Sequence, residues 1–168
     1  MRFMIACLVG ILMAGVAATA GAEGGAVPAG DIILTVGATG GAATEPARAF
    51  DLDTLRRLPL TRYETRTIWT EGRRVFEGVL LRDLLKAAGI AGRRVRAVAL
   101  NDYAIDIPLD DPTTDRALVA YRLDGKPMTV RDKGPLWIVY PYDSDAAYRS
   151  ETIYSRSIWQ LAALEIVE

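Results

Sequence analysis

The chain has 168 residues, 20 basic and 21 acidic side chains, and a formal net charge of −1. That length suits one domain with a sizeable core, and the balanced charge excludes the basic footprint of a nucleic-acid binder. There is no histidine, and the single cysteine is Cys7. A Ser-His-Asp triad and an imidazole metal ligand are therefore excluded.

Residues 1–22 read as a secretory signal peptide: a basic start at Arg2, an apolar stretch from Phe3 to Ala20, and small-residue cleavage sites near Ala20 and Ala22. Cys7 falls inside that stretch. The expected mature chain thus has no thiolate for nucleophilic chemistry, an iron–sulfur cluster or a metal, and uses no disulfide despite export. Residues 23–30 are rich in Gly and Ala and are expected to be a flexible tether. Residues 31–168 are expected to form one domain.

Residues 32–36 read as a short buried strand broken at 37–41. Residues 50–58 predict a short helix, with Asp51 or Asp53 as its N-cap and Pro59 beyond its end. Residues 63–69 alternate and are rich in Thr and aromatics, which predicts a strand; Glu71-Gly72 is expected to turn the chain into a strand over 73–76. Leu81, Leu84, Leu85 and Ala88 recur at helical spacing with Gly89 as the stop.

Residues 94–100 and 103–107 alternate, and Asn101-Asp102 between them predicts a hairpin turn. A strand over 118–123 ends at a second hairpin signal, Asp124-Gly125. Residues 136–140 predict a strand stopped by Pro141, residues 151–157 one helical turn, and residues 161–167 a final strand. Many short strands with few helices predict an α+β domain of mostly β, mixed sheets.

The chain has ten Trp and Tyr residues, and six lie between Trp137 and Trp159. Trp137, Tyr140 and Trp159 sit in apolar runs and are expected in the core. Trp69, Tyr103, Tyr142 and Tyr148 can stack on a flat ring, while Asn101, Asp102, Arg156 and Ser157 can read its edge. Each has a structural alternative. Trp69 suits a rim or the core, Asn101 and Asp102 suit a plain turn, and Arg156 suits a solvated surface. Asp110-Asp111 and Asp143-x-Asp145 are the carboxylate candidates for a hard cation, without the ladder of a calcium loop.

Four segments resemble one family. Phe76-Glu77-Gly78-Val79-Leu80-Leu81-x-x-Leu84-Leu85 is similar to a strand-to-helix element of the sulfite-oxidase, or oxidoreductase molybdopterin-binding, fold. Asn101-Asp102-Tyr103 resembles its hairpin. Leu123-Asp124-Gly125-Lys126-Pro127-Met128 with Gly134-Pro135-Leu136-Trp137 resembles its central run, and Arg156-Ser157-Ile158-Trp159 its closing element. The molybdenum enzymes of this fold carry a cysteine ligand where this chain has Ile68-Trp69-Thr70-Glu71-Gly72.

The chain is closer in character to small exported proteins of the fold that bind free pterins and act beside inner-membrane enzymes that make or degrade cyclic diguanylate. The resemblance implies a periplasmic pterin-binding protein rather than an enzyme. It implies a ring stacked on Trp69 and on Tyr148 or Tyr103, its amino edge on Asp102, and Arg156 and Ser157 on the carbonyl side. A molybdopterin-dependent oxidoreductase subunit and an interaction module without ligand are the alternatives.

Overall fold

The computed structural model describes residues 28–38 and 46–167. The expected signal peptide, the first part of the expected tether and most of the expected break at 37–41 lie outside the described residues. Two five-stranded sheets share one continuous core. The first has the order β2 (Arg48–Phe50), β1 (Leu34–Ala38), β10 (Leu161–Val167), β5 (Arg94–Ala99) and β6 (Ala104–Pro108). Only β1 and β10 run parallel in it. The second contains β3 (Leu60–Thr67), β4 (Thr70–Leu80), β7 (Leu118–Leu123) and β8 (Lys126–Pro127), with β9 (Trp137–Val139) also paired to β7.

The α+β, mostly β expectation holds. Helix α2 (Leu81–Ala88) buries Leu81, Leu84, Leu85 and Ala88, the four residues that set its period, and Gly89 caps it in the left-handed region. It packs against both β1 and β4, so its apolar stripe helps join the two sheets. Helix α1 (Leu52–Arg56) starts at Asp51, whose carboxylate accepts from Thr54 N at 2.7 Å. Donation from the Thr54 hydroxyl, then from the Thr54 N–H, Gly30 and Ala29, pulls the Asp51 carboxyl well below the usual range. Asp124-Gly125 makes the expected turn with positive φ at both residues.

Several boundaries differ from the sequence reading. Strand β1 runs two residues later than expected, and Gly37 continues it by pairing with Glu165 on distant β10. Phe50 ends strand β2, which the sequence pattern hid, instead of opening the helix. The turn between β3 and β4 is at Ile68-Trp69, not Glu71-Gly72. Glu71 and Gly72 lie within an unbroken β4, where the register slips after the Arg66–Arg73 pair. Gly72 takes φ 65° there, so the glycine marks a bulge. Strand β9 is shorter than the expected 136–140, and a 3₁₀ turn at Pro112–Arg116, capped by Asp111, was not expected.

Gly78, in the Phe-x-Gly-Val run, has a packing reason. A β-carbon there would overlap the Val119 carbonyl of β7.

Candidate functional site

Three segments of the chain border an open cavity of about 290 Å³. Trp69 enters from the β3–β4 turn. Ala99, Asn101 and Tyr103 come from the β5–β6 connection. Tyr154, Ser155, Ser157, Ile158 and Trp159 come from helix α3 (Glu151–Arg156) and the segment after it. The tight turn is made by side chains: Thr67 Oγ1 accepts from Trp69 N at 3.1 Å and lies 2.8 Å from the Thr70 hydroxyl.

Trp69 is the hub of the wall. Its ring meets Trp137, Tyr154 and Trp159 edge to face at centroid distances of 5.7, 5.7 and 5.9 Å, and Tyr142 at 6.3 Å. Such perpendicular pairs each contribute roughly 0.5–1.5 kcal/mol beyond area burial. The same geometry makes a box instead of a parallel slot. A flat ligand can lie on the face of one ring against the edge of the next.

Trp159 is pinned although 39% exposed. Its backbone bridges Trp137. Gln160 beside it, at φ 53°, donates its N–H to the Lys133 carbonyl and accepts from Leu100 N. Lys133 Nζ lies 5.7 Å from the centroids of both Trp137 and Trp159, a cation over two electron-rich faces. Trp137 is fully buried and donates its indole N–H to the Ser157 carbonyl at 3.1 Å.

Of the residues singled out in the sequence, Trp69, Asn101, Tyr103 and Ser157 line this cavity. Tyr142 stands behind its wall. It is buried, its ring is 5.9 Å from Tyr154, and its hydroxyl donates to Ser157 Oγ at 2.7 Å. Burial pushes that hydroxyl's pKa up, so it stays a neutral donor.

Three residues lie elsewhere. Asp102 is exposed on the β5–β6 loop at φ 64° and does not line the cavity. Tyr148 stacks on buried Tyr140, centroids 6.2 Å apart and planes 28° from parallel. Arg156 turns from the cavity to Asp111, with Nη1 to Oδ2 at 2.7 Å and only 11% of its side chain exposed. The Asp111 carboxyl is held down to about 2, first by the Arg156 hydrogen bond and then by Thr113.

Trp137 and Tyr140 are core, as expected; Trp159 is a half-open cavity wall. Its apolar run suggested burial, but the left-handed Gln160 breaks the strand period just after it. Tyr154, Ser155, Ile158 and Ala99 were not singled out in the sequence. One signal was available for the first two: on a helix begun by the Ser150 cap, Tyr154 and Ser155 fall away from buried Ile153 and Arg156. Three of the four carboxylate candidates, Asp111, Asp143 and Asp145, are otherwise engaged. Asp143 accepts from Arg66 N at 3.1 Å and faces the Arg73 guanidinium at 3.4 Å, while Asp145 caps the turn at Ala146–Tyr148.

No curated protein is found to match the chain. The model of the family described as oxidoreductase molybdopterin binding domain matches residues 34–144. That span runs from β1 past β9 and includes Trp69, Asn101 and Tyr103, while the α3 wall follows it. One mixed and one antiparallel sheet with short helices agree with a sulfite-oxidase-like domain, as the four sequence segments implied. With well over half its length inside that match, the chain belongs to the oxidoreductase molybdopterin binding domain family.

Proposed function

We propose that this domain binds a free pterin and does no chemistry on it. One observation carries the reading: an open box of aromatic rings around Trp69 and Trp159 in a fold whose family binds molybdopterin. A pterin ring has flat faces for such walls and a polar edge for Asn101, Ser155 and Ser157. The volume is near the lower end of the roughly 300–1,000 Å³ usual for ligand pockets, which suits a small bicyclic ring with little attached.

The lining fits only part of a metal-loaded molybdopterin. No cysteine stands in the β3–β4 turn or the first residues of β4, where Ile68 to Gly72 replace the expected thiolate segment, and thiolate is the soft ligand such a site uses. Among the described residues, no Lys or Arg lines the cavity to hold a phosphate. A free pterin meets the rings and neutral polar groups without either need.

Residues 1–22 would export the domain to the periplasm. There, pterin occupancy would be read by the periplasmic part of an inner-membrane enzyme that makes or degrades cyclic diguanylate. The cavity mouth supports this, because Tyr103 and Trp159 are half exposed and Leu100 and Ile68 beside the lining are exposed too. A bound ring would therefore alter a surface that a partner can touch. The size of any relay is limited by the ligand's difference in affinity between free and partnered states.

Mass spectrometry of small molecules released from protein purified from periplasm tests the reading. A pterin in the extract, with quenching of Trp fluorescence on titration, is the expected result. Absence of both, or near-stoichiometric molybdenum by elemental analysis, would contradict it.

A further inference from the structure

The hydroxyl protons on the α3 wall are already committed to the protein. Ser155 Oγ donates to the Thr152 carbonyl at 2.8 Å. Ser157 Oγ donates to the Ile153 carbonyl at 2.7 Å and accepts from the Tyr142 hydroxyl at 2.7 Å. A hydroxyl carries one proton and two lone pairs. Toward the cavity Ser155 therefore offers only lone pairs, and Ser157 one remaining lone pair.

The facing loop is the reverse. Asn101 Oδ1 accepts from Tyr103 N at 3.3 Å, and the Asn101 amide nitrogen has no hydrogen-bond partner among the described residues. It can donate. Among the described residues, no charged side chain lines the cavity between them.

We infer that the cavity selects an uncharged ring by the donors on its edge: an amino group and neighbouring ring N–H facing Ser155 and Ser157, with a carbonyl facing Asn101. This rests on the pterin reading and adds to it the recognised edge and the residues that read it. Replacing the ligand's amino group by a carbonyl sets lone pair against lone pair in a partly dry site. Sites built for a donor reject analogues that lack it, because the protein's polar group is left without a partner.

Ser157 also holds Tyr142 in place, so Ser155, exposed on the helix, is the cleaner variable. The test is a Trp-fluorescence titration of the intact protein with pterin and with lumazine, which has a carbonyl in place of the pterin amino group. The expected result is about tenfold tighter binding of pterin, a ratio that falls to within about threefold in Ser155→Ala. Equal binding of the two ligands by the unaltered protein, or an unchanged ratio in Ser155→Ala, overturns the inference while leaving the pterin reading standing. Failure of both ligands to bind overturns the two together.

Discussion

Helix α3 separates two environments made from similar residues. On its cavity side, Tyr154 and Ser155, with Ser157 just after, join Trp69 and Trp159 in the lining, and none of the described lining residues is charged. Away from the cavity, Arg156 is buried against Asp111, near Tyr140 and Tyr148. The first environment is half open, and each of its polar groups has bonding capacity left. The second is closed and its charges are spent on each other. The contrast teaches that in this domain an arginine next to a ligand wall can be a strut that holds the wall. A buried ion pair contributes little net stability, yet breaking it is costly, which suits a strut.

Removing the strut has the largest expected effect. Arg156→Met leaves Asp111 partly buried without its cation and should lower unfolding free energy by about 2–3 kcal/mol, less than for a fully buried pair because Asp111 stays 30% exposed. Urea unfolding would measure it. Under folding conditions ring affinity should change by less than about threefold; a large affinity loss in a fully folded variant would mean that Arg156 does touch the ligand.

Acid probes the same pair from the other partner. The Asp111 carboxyl is held down to about 2 from an ordinary 3.8. Its contribution is therefore fully present above about 4 and is lost as pH falls through about 2. Stability should fall across that window, and Asp111→Asn should flatten that part of the profile. Asp51, also lowered, should continue the decline further into acid. Chemical denaturation at a series of pH values would separate the two.

The smallest effect is expected on the exposed loop. Asp102→Ala, at φ 64°, should cost about 1 kcal/mol because alanine tolerates the left-handed region poorly, with ring affinity unchanged. A clear loss of affinity would return Asp102 to the site.

These contrasts follow what the sequence could and could not display. Helix α2 was legible because its apolar residues keep one period from end to end, and strand β10 because its run is almost wholly apolar despite a register slip after Leu161. The Asp51 cap was legible because N-capping is local. Glu71-Gly72 misled because glycine at positive φ serves a turn and a bulge alike, while the true turn at Ile68-Trp69 relies on Thr67 and Thr70 hydroxyls. Gly37 read as a break because its partner, Glu165, is far along the chain.

At the site, the aromatic and polar content pointed to a flat ligand, and four of the eight residues named line one cavity. The fate of Arg156 was hidden because Asp111 is 45 residues earlier, and no local pattern links a helix end to a distant 3₁₀ cap. Trp159 was hidden by its apolar neighbours.

Calorimetric titration of a pterin into the unaltered protein and into Trp159→Leu most directly tests whether the aromatic box is a pterin site. Trp159 is 39% exposed, so its removal should cost about 1–2 kcal/mol, from the lost Trp69 contact and part of its burial, and leave the fold intact. The predicted result is one-to-one binding that weakens at least about tenfold in the variant, the loss of a stacking wall worth roughly 1.5 kcal/mol. Binding of equal strength in both proteins, or none in the unaltered one, would contradict it.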